Sequence, residues 1–191
     1  MQGGKLVELN TLRFGSLHVD ENNLLSIPGG LLGFPEIEKF CLLDTGDDTF
    51  ILWLQSVARP EIAFPVLEPK IFRPDYIVRL SAQELADLEL QNLSQSAVYS
   101  ILTIPDDVSQ MTANLKAPIV LNLKTRTARQ VVLQENDYSI RQPMFKELRA
   151  HIVTLQNTKR NLGQEPGSAG AAVSVVPIEL IPPALTVRNL K

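Results

Sequence analysis

The apolar residues of this chain fall into short runs, and each run ends at a cluster of turn residues. Runs of strand length occur at Phe40–Leu43, Phe50–Leu54 and Ala97–Ile104. Short runs of this kind, rich in β-branched and aromatic residues and bounded by Gly, Pro, Asn and Asp, are typical of β-strands. They predict an all-β fold, mainly an antiparallel β-barrel-like domain, with one or two short helices. A flat β-sandwich is the alternative that the pattern leaves open.

Local signals add detail to this picture. The alternation in Arg13–Val19, followed by turn residues and by Leu24–Ile27, predicts a hairpin, and Tyr76–Leu80 is predicted to be a further strand. Ser81 followed three residues later by Glu84 forms a capping box that opens a short helix.

An apolar loop, Leu31–Pro35, follows two glycines. Gly33 is expected to have a positive φ there, which glycine adopts without steric cost. The large side chains of Leu31, Leu32 and Phe34 either close one end of the core or face a partner. Closure of the core is the simpler interpretation.

The stretch Met111–Asn122 combines a polar corner with a short apolar run. Its first half contains small and amide residues that favour a turn. Its second half, Ile119–Leu121, suits a strand that is covered on both faces. A polar corner that leads into a buried strand can present Met111, Thr112 and Asn114 rigidly at a surface.

The composition changes near residue 143, and this divides the chain into three parts. Residues 1–143 form the β-domain. Residues 144–158 form a C-terminal amphipathic helix, because Phe145, Leu148 and Ile152 fall at helical spacing. Residues 159–191, which contain Gly and Pro, are expected to be a flexible tail, with a short docking segment left open. Four basic and two acidic residues give this tail a net charge of +2. Because the whole chain has a net charge of −3, the rest of the chain has a net charge of −5.

Few residues are available for catalytic chemistry. Cys41 is the one cysteine and lies in an apolar run, which favours a buried, inert thiol in a reducing compartment. With two histidines far apart, no metal-ligand spacing occurs and no cofactor is expected. The carboxylates Asp106 and Asp107 are the best catalytic candidates, but a solvated turn explains them more simply.

Nucleic-acid and membrane roles are also disfavoured. Lys124, Arg126 and Arg129 cluster without interleaved aromatic residues, and the overall charge is negative. The first residues lack the apolar run of a signal peptide, and no segment is long and apolar enough to span a bilayer. The sequence therefore predicts a soluble cytoplasmic protein.

Five motifs follow one another in an order that carries a resemblance. They are Leu31–Phe34, Trp53–Ser56, Phe72–Tyr76, Met111–Asn122 and Gln130–Leu133 through Tyr138. Between about Phe14 and about Pro143 the chain resembles the flagellar assembly factor FliW family, with Met111–Asn122 as the most specific block. The segment beyond Phe145 departs from the family's usual length.

The resemblance implies a small, β-barrel-like, monomeric cytoplasmic protein without enzymatic activity. It implies two protein partners, flagellin and, in many bacteria, the translational regulator CsrA, and no nucleic acid or membrane. We expect partner contacts from Met111, Thr112, Asn114 and Leu115, and from Gln55, Ser56 and Tyr138 in addition. The alternative for each of these residues is a structural role in the fold.

A second function class stays open at this point: a barrel that binds a small ligand, or a general export chaperone, with the apolar loop at its mouth. An enzyme that uses Asp106 is a third possibility.

Overall fold

A computed structural model describes residues 4–47, 49–134, 137–161 and 172–183. The strands are β1 Leu6–Thr11, β2 Gly15–Asp20, β3 Leu24–Ser26, β4 Lys39–Asp44, β5 Leu52–Ser56, β6 Ala63–Leu67, β7 Ser96–Thr103, β8 Thr112–Ala113, β9 Ile119–Asn122, β10 Ala128–Gln130, β11 Gln142–Pro143 and β12 Ser174–Val175. The α-helices are α1 Ala82–Asp87 and α2 Phe145–Asn161.

The main sheet is antiparallel and strongly curved. Its strand order is β10-β9-β7-β6-β5-β4-β12, with β3 also on β4 and with β8 between β7 and β11. The curvature brings β3 to the turn before β10, where the Ser26 amide donates a hydrogen bond to the Arg126 carbonyl, 2.9 Å away. This approach is a single bridge, Ser26 to Thr127, so the sheet is barrel-like without being closed. The predicted fold class is therefore confirmed.

The first two strands form a separate hairpin. β1 pairs with β2 in register from Leu6 opposite Asp20 to Thr11 opposite Gly15, which has a φ of 73°. The predicted pairing of Arg13–Val19 with Leu24–Ile27 is wrong, because β3 pairs with β4 instead. The physical reason lies in a 3-10 turn that follows Asp20 and separates the two strands.

Three apolar clusters fill the fold. One lies under α1 and α2 and includes Tyr76, Leu115 and Met144. A second lies inside the curved sheet around Phe40, and a third lies between the β1–β2 hairpin and the other face of β4. Since successive residues of β4 alternate between the second and third clusters, this strand is buried on both faces.

Both α-helices form where the sequence predicts them. Ser81 and Glu84 make the reciprocal bonds of a capping box at the start of α1. Leu148, on α2, is buried, and Ile152 packs against the same cluster. The strand predicted at Tyr76–Leu80 is wrong, since these residues pair with no strand in the part of the chain that the structure describes.

Residues 172–183 of the predicted tail lie within the described residues. Ser174 and Val175 pair with β4, and Ile178 and Ile181 are 6% and 5% exposed. Residues 172–183 thus correspond to the short docking segment that the sequence left open, because their aliphatic side chains are buried against the domain. The predicted linker, 162–171, and the last residues, 184–191, lie outside the described residues.

Candidate functional site

Four of the seven predicted contact residues are buried. Met111 and Leu115 are 6% and 0% exposed and belong to the cluster under α2. Gln55 and Ser56 are both 0% exposed. A partner on the surface of this structure cannot touch these four side chains, because they have almost no accessible area.

Leu115 is hydrogen-bonded to two other segments of the chain. Its amide donates to the Ser139 carbonyl at 3.0 Å, and its carbonyl accepts the Tyr76 hydroxyl at 2.7 Å. The Tyr76 ring lies 4.7 Å from that of Tyr138, whose hydroxyl accepts from the Ile77 amide at 2.9 Å. The half-buried Tyr138 therefore holds the chain after Tyr76, although its partial exposure also leaves room for a contact.

Gln55 and Ser56 shape the turn between β5 and β6. The Gln55 Nε2 donates to the carbonyls of Ser56 and Ile62, both at 3.0 Å. The Ser56 Oγ accepts from the Arg59 amide at 2.9 Å. The Gln55 Oε1 is buried and has no hydrogen-bond partner among the described residues, so this amide acts as a donor to the backbone of the turn.

Thr112 and Asn114 are partly exposed. The Asn114 Oδ1 accepts from the amides of Lys116 and Ala117 at 3.1 and 3.0 Å, which fixes the turn before β9. Thr112 lies in β8 between Thr103 and Pro143. Both side chains therefore sit on rigid backbone and keep some accessible surface.

Exposed aliphatic side chains flank β8. Ile104 follows β7, Val108 lies in the 3-10 turn before Met111, and Ile140 precedes β11; they are 37%, 48% and 64% exposed. We define Ile104, Val108, Thr112, Asn114 and Ile140 as the β8 surface. These three aliphatic residues were not predicted from the sequence, although single aliphatics within turn segments are a usable signal. Exposed apolar groups beside rigid polar ones are what a protein interface needs.

The charged candidates have structural partners. Asp107 caps the 3-10 turn, and hydrogen bonds from the Ser109 hydroxyl and then the Gln110 amide hold the pKa of its carboxyl below the ordinary value. Arg126 donates to Asn22, and Arg129 pairs with Asp87. These pairings agree with a structural role for Asp107, Arg126 and Arg129.

The structure offers little to a metal ion or a small ligand within the described residues. No group of three or more His, Cys, Asp or Glu within the described ranges could hold a metal ion. No helix of the described part is long and apolar enough to cross a membrane. A cavity inside the sheet, lined by Leu25, Ile27 and Tyr99 among others, has a volume of about 10 Å³, which is room for one water at most.

The apolar side chains of the loop after β3 differ in burial. Leu31 is 3% exposed and closes the sheet interior, and the Phe34 ring packs 5.2 Å from that of Phe64. Leu32 is 61% exposed. Gly33 has a φ of 88°, as predicted.

Comparison with known proteins decides the family. The family model described as FliW protein matches residues 8–144. The chain belongs to the FliW family. A FliW protein of Bdellovibrio bacteriovorus, described as a flagellar assembly factor, is 46% identical over 145 residues, which are 76% of this chain and 83% of that protein. Another FliW, from Caldanaerobacter subterraneus, is 35% identical over 75% of this chain and 96% of its own length.

A solved structure agrees with the FliW assignment. The crystal structure of the flagellar assembly factor FliW matches with a TM-score of 0.68 and 32% identity, over 72% of this chain and 96% of that chain. The resemblance seen in the sequence is therefore confirmed. The matched FliW region, 8–144, ends just before α2, so α2 and β12 lie beyond it.

Proposed function

We propose that this chain is a flagellar assembly factor that binds flagellin in the cytoplasm and, by partner switching, antagonises the translational regulator CsrA. Its membership of the FliW family carries the proposal. While unsecreted flagellin is abundant, it occupies the protein and leaves CsrA free to repress flagellin translation. When secretion removes flagellin, the protein is released and antagonises CsrA.

This role requires binding alone, so we propose that the chain is a non-catalytic monomer. Binding of one partner must exclude or weaken binding of the other, and the antagonism is then reciprocal. The coupling is about 1–3 kcal/mol if the two sites communicate at a distance. It is larger if the two surfaces overlap.

We assign the flagellin contact to the β8 surface. Its support is the combination of fixed backbone at Asn114 with exposed aliphatics at Val108 and Ile140. The buried Met111 and Leu115 flank Thr112 and Asn114 and hold this surface in shape, whereas Gln55 and Ser56 act on the separate turn between β5 and β6. Tyr138 holds the chain after Tyr76.

The test is quantitative binding of cognate flagellin. Val108→Asp combined with Ile140→Asp is expected to weaken binding at least tenfold with an unchanged melting temperature, since both side chains are exposed. Leu12→Asp is the matched control, because Leu12 is 81% exposed and lies in the separate β1–β2 hairpin. If wild-type protein shows no flagellin binding, the function is refuted. If the control weakens binding as much as the double variant, the β8 surface is the wrong one.

The CsrA step has an electrostatic test. A regulator that binds RNA is positively charged where it holds phosphates, and a region of charge −5 docked nearby disfavours RNA. Raising the salt concentration should therefore reduce the antagonism beyond the ordinary loss of RNA affinity. Antagonism that does not depend on salt would rule this route out.

The general export chaperone is the alternative, because Leu32 and other exposed aliphatics suit mixed clients. Co-purification separates the two functions. A single flagellin partner supports the switch, whereas mixed unfolded clients support the chaperone.

A further inference from the structure

The edge of β4 is covered by two different parts of the chain. β3 pairs with the first half of the strand, where Leu24 lies opposite Cys41. β12 pairs with the second half, where Val175 lies opposite Leu43, and the Val176 amide donates to the Leu42 carbonyl at 2.9 Å. Removing residues 172–183 would therefore leave the second half of this edge without a neighbour.

The segment that covers this edge lies outside the region shared with the relatives. The family match ends at residue 144. The Caldanaerobacter relative aligns over 96% of its length, so almost none of it remains for a counterpart of residues 172–183. The fold of this family thus forms without such a segment, and its removal from this chain need not disrupt the domain.

The contacts of the segment define what the edge accepts. Ile178 and Ile181 insert into the apolar cluster inside the sheet, while Val173 and Val175 pack against the cluster under the hairpin. Leu180 is 74% exposed, and Ser174 and Glu179 also face solvent. The site therefore selects a chain that is extended at Ser174–Val175 and forms a 3-10 turn at Ile178–Leu180, with aliphatic residues at the positions of Val175, Ile178 and Ile181.

The segment pairs with β4 over only a short stretch of backbone. β12 has two residues, and Pro177 has no amide hydrogen with which to continue the pairing. The Ile178 amide reaches the Asn23 Oδ1 at 3.4 Å. Open strand edges bind extended peptides through the same backbone hydrogen bonds, with side-chain pockets giving specificity.

We propose that the β4 edge at Leu42–Asp44 is a peptide-binding site, filled in cis by residues 172–183, that takes an aliphatic segment of a partner protein, a short strand followed by a turn, when its own segment leaves. The segment belongs to the same chain, so it competes at an effective concentration of about millimolar. A partner binds only if its concentration and affinity together outcompete the internal segment. The proposal concerns an edge away from the β8 surface and does not rest on flagellin binding.

The experiment uses the full chain and a labelled synthetic peptide with the sequence of residues 172–183. Ile178→Asp combined with Ile181→Asp should unseat the internal segment, because each places a charge in an apolar cluster. The variant should bind the peptide at least about tenfold more tightly than wild type, by removal of the tethered competitor. Leu180→Asp is the matched control and should bind like wild type, since Leu180 is exposed. Equal peptide affinity for the double variant and wild type would overturn the proposal.

Hydrogen exchange on the unaltered chain tests the same point without a variant. The Val176 amide should exchange by local opening, at least tenfold faster than the Asn114 amide, which donates to the Ile101 carbonyl at 2.9 Å between β7 and β8. Exchange of both amides only through global unfolding would overturn the proposal. So would a dimer that becomes monomeric in the double variant, because the segment would then fill a second copy rather than its own chain.

Discussion

The hydroxyl of Tyr76 donates a 2.7 Å hydrogen bond to the carbonyl of Leu115, although the two residues lie far apart in sequence. Both residues are at most 2% exposed. Tyr76→Phe is expected to lower the free energy of unfolding by about 1–3 kcal/mol, because it leaves a buried carbonyl without its donor. Urea denaturation measures this loss. Tyr138→Phe should cost less, because Tyr138 is half-buried and water can reach the freed Ile77 amide. Equal losses would contradict this assignment.

Gln55→Glu tests the donor role of the buried amide. The new carboxylate would face the carbonyls of Ser56 and Ile62, so we expect a loss of about 3 kcal/mol or more at pH 7. Burial would raise the pKa of the new carboxyl in the folded state. The loss should therefore shrink as the pH falls toward about 3, below the pKa of the group in both the folded and the unfolded state. Denaturation at both pH values measures it, and the exposed Gln91→Glu is the control. A neutral effect at pH 7 would refute the donor role.

Glu68 is expected to destabilise the fold at neutral pH. Burial raises the pKa of its carboxyl above the ordinary 4.5, although the nearby charge of Lys70 lowers it in part. When the pKa of a carboxyl group is higher in the folded state than in the unfolded state, the folded protein loses stability as the pH rises from the unfolded-state pKa through the folded-state pKa. Glu68→Gln should therefore raise the melting temperature slightly at pH 7 and have no effect near pH 4. The exposed Glu8→Gln serves as the control. A lower melting temperature at pH 7 would disagree with this explanation.

Cys41 is expected to be unreactive in the folded protein. It is 0% exposed, and burial raises the pKa of its thiol to about 12. At pH 8 it should react with a thiol reagent on the order of a thousandfold more slowly than in denaturant, because the thiolate is the reacting form. Absorbance of the released product reports the rate. Fast labelling of the folded chain would show that β4 opens frequently.

Local chemistry made several elements predictable. The Ser81–Glu84 capping box, the positive φ of Gly33 and the helical spacing of Leu148 with Ile152 each act within a few residues, so a single sequence displays them. The order of motifs also led to the family.

Contacts between distant segments were not predictable in this way. The apolar, β-branched run at Tyr76–Leu80 looks like a strand, but the Ile77 amide donates to a tyrosine hydroxyl far along the chain. The amide of Gln55 looks like a surface contact, but its donors meet backbone carbonyls at a buried turn. Residue type records hydrogen-bonding capacity and does not record which partner the fold provides.

The pairing of β12 with β4 has a consequence for biosynthesis. A ribosome makes β4 well before it makes the strand that completes its edge. Until residues 172–183 have emerged, one edge of the Leu42–Asp44 backbone in a nascent chain has no neighbouring strand, even if the rest of the sheet has already folded. The stage of translation thus decides whether that strand edge can pair with another polypeptide.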